Sequence, residues 1–188
     1  MSNEKKINIF GTGTRYQMKK VIKNGDDDIV KSRKEIDKLD LPLDTFEWDQ
    51  QHDIVNEMYD NLKNNVVITT SSDIIKIIKN QISNKLSGYK QQDIMKKLFD
   101  KDKIIKMDEV IEKLKNCQLK CHYCNENVYL LYKLVRETKQ WSLDRIDNKI
   151  GHTCDNVIIS CLQCNLNRRN KNSDSFLFTK QLKISKMN

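Results

Sequence analysis

The chain has 188 residues, of which 38% are hydrophobic and 32% charged, and its formal net charge is +8. This length supports one compact domain or a small module with a helical extension, and excludes larger architectures. No apolar run approaches the roughly 20 residues that a membrane span needs, and the N-terminus lacks the apolar segment of a signal peptide. We therefore expect an intracellular protein with no membrane partner.

The positive charge is concentrated in the C-terminal third. From Cys117 onward the sequence holds 12 Lys plus Arg against 6 Asp plus Glu. Four of the six arginines lie in this third, where their planar guanidinium groups could each bind phosphate oxygens through two hydrogen bonds: Arg136, Arg145, Arg168 and Arg169. This distribution favours an anionic partner, and the alternative is a basic surface that has no ligand.

Helical periodicity dominates the first 115 residues. Apolar residues recur at helical spacing over residues 26–39, and the only proline, Pro42, ends that element. The same reasoning predicts helices over residues 45–63, from a Ser72 cap through an isoleucine-rich stretch, over residues 92–99 and over residues 107–116, with a short strand over residues 66–69. We interpret residues 1–115 as a helical region of unknown role, followed by a second domain over residues 116–188.

Two Cys-x-x-Cys pairs open and close the central part of the second domain. Cys121 and Cys124 form the first pair, and Cys161 and Cys164 form the second. A reducing compartment disfavours disulfides, and a two-residue spacing lets each pair place two thiolates on one metal ion, so we predict a four-sulfur zinc site. Such a closed site has no open position for a substrate, which makes its zinc structural.

The segment between the cysteine pairs predicts the rest of the domain. Two apolar, aromatic-rich runs flank the polar "RETKQ", as in a β-hairpin, and a helix-compatible "NLNRRNK" follows the second pair. The first cysteine pair, with the tight turn between its cysteines, forms a zinc knuckle. The order of knuckle, hairpin, loop, short strand and helix predicts a treble-clef zinc fold, and a zinc ribbon is the alternative. With a last helix over "DSFLFTKQLKI", the chain is predicted to be an α+β protein.

The motifs "LDRID", "GHTCDNVIIS" and "CLQCNLNRR" carry a family resemblance. Together they resemble HNH endonucleases with a ββα-metal site, particularly zinc-supported members similar to phage junction-resolving endonucleases. The resemblance covers residues 120–169. More loosely, the run from "SGYKQQDIMKKLF" through "FTKQL" resembles HNH-containing proteins of large DNA viruses, which would place a viral protein in the cytoplasm or nucleus of its host.

The resemblance implies a set of site residues. Asp144 and Asn165 match the two ligand positions for one catalytic Mg²⁺ or Mn²⁺, distinct from the structural zinc. Asn156 matches the middle asparagine, which pins the catalytic loop through backbone hydrogen bonds. Arg168 and Arg169 are expected to contact phosphate, or to neutralise the charge of its transition state.

Arg145 departs from the HNH sequence pattern, in which a histidine follows the metal-binding acid and acts as the general base. A guanidinium cannot accept a proton at neutral pH. Three alternatives stay open. His152 could serve as the base; Asp147 or a metal-bound hydroxide could do so while Arg145 contacts the phosphate; or catalysis has been lost.

The function expected from the resemblance is metal-dependent hydrolysis of DNA phosphodiester bonds, and RNA stays open as an alternative substrate. The competing hypothesis is a catalytically inactive zinc module that binds nucleic acid or a protein, and a third is a protein that uses zinc only for stability. A module without catalysis would have no need for Asp144 and Asn165 together. A homodimer is compatible with the sequence.

Overall fold

The structure is a computed structural model that describes residues 31–37, 39 and 41–182. In chain order its elements are α1 (Lys34–Asp37), a 3₁₀ turn (Leu43–Phe46), α2 (Trp48–Asn64), α3 (Ser72–Met95), α4 (Met107–Asn116), β1 (Trp141–Arg145), a second 3₁₀ turn (Cys154–Asn156), β2 (Val157–Cys161), α5 (Leu162–Arg168) and α6 (Ser173–Gln181). The predicted α+β class is confirmed as helices with a two-stranded antiparallel sheet. Of the helix predicted over residues 26–39, the structure describes residues 31–37 and 39, and these contain the short helix α1.

The helix α3 is longer than predicted. The Ser71 hydroxyl accepts a hydrogen bond of 3.4 Å from the Asp73 N–H and so caps its start, one residue before the predicted Ser72 cap. A Cβ at Gly88 would have no heavy atom within 4 Å, and the helix runs unbroken through this glycine for 24 residues. The separate helix predicted over residues 92–99 is therefore wrong. The helices predicted over residues 45–63, over residues 107–116 and at the C-terminus are confirmed as α2, α4 and α6.

The strand predicted over residues 66–69 is wrong. This stretch connects α2 to α3 and forms no ladder, and Val67 is 82% exposed. The backbone at its end is bonded by a side chain instead of a strand. The Glu57 carboxylate accepts hydrogen bonds from the N–H groups of Thr69 and Thr70 at 3.2 and 3.0 Å. Apolar β-branched residues favour extended backbone, but here no neighbouring strand covers them.

The sheet pairs β1 with β2, and not with the segment before β1. Leu143 faces Ile159 and Arg145 faces Val157 in antiparallel register. The predicted hairpin around "RETKQ" is wrong, because Tyr129 meets Gln140 only in a single parallel bridge. The sheet thus has an 11-residue loop, residues 146–156, between its strands, and α5 follows β2 directly.

One core joins the helices to the sheet. It contains buried apolar side chains from three helices and both strands: Ile54 and Met58 of α2, Ile78 and Ile82 of α3, Val110 and Leu114 of α4, and Trp141, Leu143 and Ile159 of the strands. Full burial of an aliphatic side chain contributes about 1.5–3 kcal/mol, so this shared core holds the helices firmly against the sheet. Gln51 adds a polar tie, since its buried amide oxygen accepts from the N–H groups of Leu130 and Leu131 at 2.7 and 3.0 Å.

Across the part of the chain that the structure describes, no helix combines the length and apolarity required to cross a lipid bilayer.

Candidate active site

The two cysteine pairs come together in space. The Sγ atoms of Cys121, Cys124, Cys161 and Cys164 all lie within 4.8 Å of one another. The Sγ atoms of Cys124 and Cys161 are 3.9 Å apart, close to the roughly 3.8 Å edge of a tetrahedron with Zn–S distances of about 2.3 Å. The cluster can therefore hold a metal ion such as zinc. Cys117 and Cys154 lie outside it, as predicted.

The protonation of these thiols shows what the cluster requires. The hydrogen bond to Cys121 and burial raise the pKa of Cys161. Burial and the negative charge of Cys121 raise the pKa of Cys164 to about 12. Without a cation, the charge on Cys121 thus disfavours the ionisation of its neighbours, and a divalent cation would favour the four thiolates that a metal site needs.

A cleft of about 550 Å³ lies between α3, β1 and α5. Its charged lining is mainly basic and comes from distant parts of the chain: Lys85, Lys96, Arg145, Arg169 and the single carboxylate of Asp144. Lys85 is notable because burial and the charge of Arg33 lower its pKa to about 7. A cleft with this lining attracts anions.

Asp144 is held inside the protein by two side chains. Its Oδ2 accepts hydrogen bonds from the Tyr123 hydroxyl and from Nε of Arg168, both at 2.7 Å. No described residue bonds the other oxygen, Oδ1, and Asp144 lines the cleft. The carboxylate thus has one oxygen fixed by the protein and one available to a ligand.

Asn165 of α5 is oriented in the same way. Its Nδ2 donates to Oγ of Ser142 and to the carbonyl of Leu143, both at 3.2 Å. Because the carbonyl can only accept, the amide nitrogen must face β1, and no described residue bonds the amide oxygen. Asn165 lines the same cleft as Asp144.

Asn156 anchors the loop between the strands. Its Nδ2 donates to the carbonyls of Asp147, Ile150 and Gly151 at 2.9, 3.3 and 3.0 Å. Its amide oxygen accepts from the Asp147 N–H at 2.9 Å, so one side chain closes the loop on both sides. The Asp147 carboxylate accepts from the Lys149 N–H at 2.8 Å and does not line the cleft.

The two expected phosphate-binding arginines of α5 differ in position. Arg168 has 0% exposed surface and donates to Asp144 and to the carbonyls of Arg145 and Lys171. This burial is at odds with the expected phosphate contact, because each nitrogen of the guanidinium already donates to an acceptor of the protein. Arg169 is exposed and lines the cleft.

Arg145 and His152 meet an acid that sequence reasoning missed. Asp93 of α3 is 1% exposed and accepts hydrogen bonds from the His152 N–H at 2.7 Å and from the His152 ring Nδ1 at 2.8 Å. Arg145 donates to the Ile150 carbonyl at 3.2 Å, and its guanidinium lies 3.9 Å from Asp93. The helical region therefore supplies part of the cleft.

Comparison with known proteins gives no match: no family model matches the chain, nor does any curated protein or solved structure. The functional assignment therefore depends on the chemistry of the site itself.

Proposed function

We propose that this protein is a metal-dependent endonuclease of the HNH type, which hydrolyses phosphodiester bonds of DNA. One observation carries the proposal: Asp144 and Asn165 each leave one oxygen without a partner among the described residues, and both line a basic cleft. In Asp144 the protein holds the other carboxylate oxygen. In Asn165 it holds the amide nitrogen. A structural protein has no use for unpartnered oxygens in a cleft lined by basic residues.

The free oxygens suit a hard divalent cation. Carboxylate and amide oxygens are the donors that Mg²⁺ and Mn²⁺ prefer, and Asp144 and Asn165 offer one of each. A bound Mg²⁺ or Mn²⁺ would polarise the scissile phosphate and stabilise the charge on the leaving oxygen. The chain's own residues orient these donors: Tyr123 and Arg168 hold the carboxylate, and Ser142 holds the amide.

The cysteine cluster supports a treble-clef arrangement of the zinc-bound domain. Cys161 ends β2, and Cys164 lies in the first turn of α5. A zinc ion bound by all four cysteines would fasten the start of α5 to the knuckle that carries Cys121. Since α5 also carries Asn165, a structural zinc would position one of the proposed ligands of the catalytic cation.

The proposal predicts nicking of supercoiled plasmid in the presence of Mg²⁺ or Mn²⁺. The Asn165→Ala variant should lower the rate on the order of 100-fold, because it removes one oxygen donor of the cation. Asp144→Asn should do at least the same. The Glu126→Gln variant is a control, since that carboxylate is 65% exposed and outside the cleft.

Cleavage by Asn165→Ala at the control rate, with the variant as stable as wild type, would contradict the assigned site. A second candidate function, a catalytically inactive module that binds nucleic acid, is favoured by the engagement of Arg145 with the Ile150 carbonyl where the pattern expects a base. Tight DNA binding by the wild type without cleavage in either metal would select that candidate.

DNA binding itself should be strongly salt-dependent. Phosphate binding releases counterions, so the logarithm of the binding constant should fall linearly as the logarithm of the salt concentration rises. Arg169→Gln should weaken binding and reduce that slope by about 0.9. Arg136→Gln is the matched control because Arg136 is exposed but does not line the cleft. Affinity that does not change with salt would argue for a protein partner instead.

A further inference from the structure

We propose that His152, held by Asp93 of α3, is the proton acceptor of this site. This inference rests on the proposed nuclease function. It assigns the base to a histidine eight positions beyond Asp144, and it gives a helix that precedes the HNH-like motifs of residues 120–169 the role of positioning that base. Asp93 is a positioning residue, since it acts on the reaction only through His152.

The hydrogen bonds of Asp93 determine which nitrogen of His152 is free. An ionised carboxylate can only accept, so the contact of 2.8 Å with the ring places the proton on Nδ1. The second carboxylate oxygen accepts from the His152 backbone N–H at 2.7 Å, which fixes the main chain as well as the ring. The opposite ring nitrogen, Nε2, is left unprotonated and able to accept a proton.

The His152 side chain lies at the cleft, and its accepting nitrogen is not sealed from solvent. His152 is among the residues that line it, although 97% of its surface is covered (3% exposed). No described residue forms a hydrogen bond with Nε2. Among the described residues, Nε1 of Trp141 is the one fully buried side-chain nitrogen or oxygen without a partner, so Nε2 of His152 keeps some exposure to solvent. Asp144, Asn165 and His152 therefore line one cleft of about 550 Å³.

Two further features of the fold hold the pair together. The Tyr89 ring packs on the His152 ring with centroids 4.6 Å apart, and the Tyr89 hydroxyl accepts from the Leu143 N–H of β1 at 2.9 Å. Gly151 allows the close approach, because a Cβ there would lie 2.6 Å from the Leu98 carbonyl oxygen and 2.9 Å from the Asp93 carboxylate. Any side chain at this position would push the loop away from α3.

Arg145 has a role in this arrangement that explains its departure from the pattern. Its guanidinium lies 3.9 Å from the Asp93 carboxylate, and the side chains of the two residues are 7% and 2% exposed. A buried carboxylate needs a compensating charge, and Arg145 supplies it while His152 stays neutral. The residue that follows Asp144 thus supports the base instead of being the base.

The charges around His152 favour its neutral form. Burial is the main cause that lowers the pKa of His152, Arg145 and Lys96 lower it further, and Asp93 opposes them. Burial raises the pKa of the adjacent Tyr89, which therefore stays protonated. His152 is thus ready to accept a proton at neutral pH.

The chemical step is a hydrolysis. Nε2 of His152 takes a proton from water as the water oxygen forms a bond to phosphorus. The bond between phosphorus and O3′ breaks, its electron pair stays on O3′, and O3′ takes a proton from solvent. Release of the proton from His152 to solvent restores the neutral ring.

The test is the pH dependence of single-turnover cleavage of plasmid DNA with Mn²⁺. The wild-type rate should rise with pH through a midpoint below 6.5, the ordinary pKa of histidine, and then level off. His152→Ala should lose this acid limb and about 100-fold in rate, and added imidazole should restore part of the rate. Asp93→Asn should move the midpoint to lower pH, because the partner that raises the pKa of His152 is gone.

The outcomes separate this inference from the proposed function. A purely structural role of Asp93 would lower the rate of Asp93→Asn equally at every pH, and that result would overturn the inference. If His152→Ala cleaved DNA at the wild-type rate, the inference would also be overturned, but the nuclease function would stand. A wild-type protein that cuts no DNA would overturn both.

A measurement on the wild-type protein covers the case in which these variants do not fold. Long-range ¹H–¹⁵N spectra report which ring nitrogen of each histidine is protonated. His52→Gln and His122→Gln identify the other two signals. A neutral His152 with the proton on Nδ1 supports the inference, and a proton on Nε2 would overturn it.

Discussion

Replacing Cys164 by serine should abolish zinc binding and unfold the domain. Cys164 is buried at the start of α5, with its Sγ atom inside the four-sulfur cluster. The apparent free energy of binding a structural zinc ion is about 10–16 kcal/mol, whereas a whole domain is stable by about 5–15 kcal/mol. Zinc released by a thiol reagent should fall from one ion per chain towards none, and the cooperative thermal transition should be lost.

The matched control for this experiment is Cys154→Ser. Cys154 is a partly exposed thiol in the same region and lies outside the cluster. Its variant should keep one zinc ion per chain and melt close to the wild-type temperature, as surface substitutions usually do. Should Cys164→Ser match this control in zinc content and in melting, the cluster would not be a structural metal site.

The cysteine cluster could be predicted because its signal is local. Two residues between the cysteines fix the geometry of each knuckle whatever the rest of the chain does. The helix α4 was predictable for the same reason, since apolar residues at helical spacing and acids in its first turn need no distant partner. Local patterns of this kind identify elements and their types.

Pairing across the fold could not be predicted in this way. The apolar alternation around "RETKQ" indicates extended backbone but does not name a partner, and β1 in fact pairs with a strand beyond the loop. Asp93 was missed because it lies 59 positions before His152 on an element that the prediction split in two. A carboxylate in a helix is usually solvated, and only the fold shows that this one is 1% exposed.

Arg168 was assigned to phosphate for a related reason. Its neighbour Arg169 has the same side chain, and the sequence offers no sign of which of the two faces inward. The helix α5 ends at Arg168, whose Nε donates to Asp144 at 2.7 Å, while Arg169 already has a positive φ of 53° and lies on the surface. Because the helix ends between them, Arg168 is buried against Asp144 and Arg169 is exposed to solvent.

Arg168→Met should destabilise the protein by about 3–5 kcal/mol, the usual cost of removing one partner of a buried ion pair. The Asp144 carboxylate would stay buried with only the Tyr123 hydroxyl to bond it, and the carbonyl of Lys171 would lose its donor. Methionine fills a similar volume, so the loss reports mainly the missing charge and hydrogen bonds. Chemical denaturation of the zinc-loaded protein measures it.

Two controls give this prediction its meaning. Arg169→Gln changes an exposed arginine and should leave stability within about 0.5 kcal/mol of wild type. The double variant Arg168→Met with Asp144→Leu removes both charges and should recover much of the loss, since replacing a whole buried pair by apolar residues is often neutral. If Arg168→Met alone were as stable as wild type, its guanidinium would not be committed to Asp144, and it would be free for the phosphate contact that the sequence suggests.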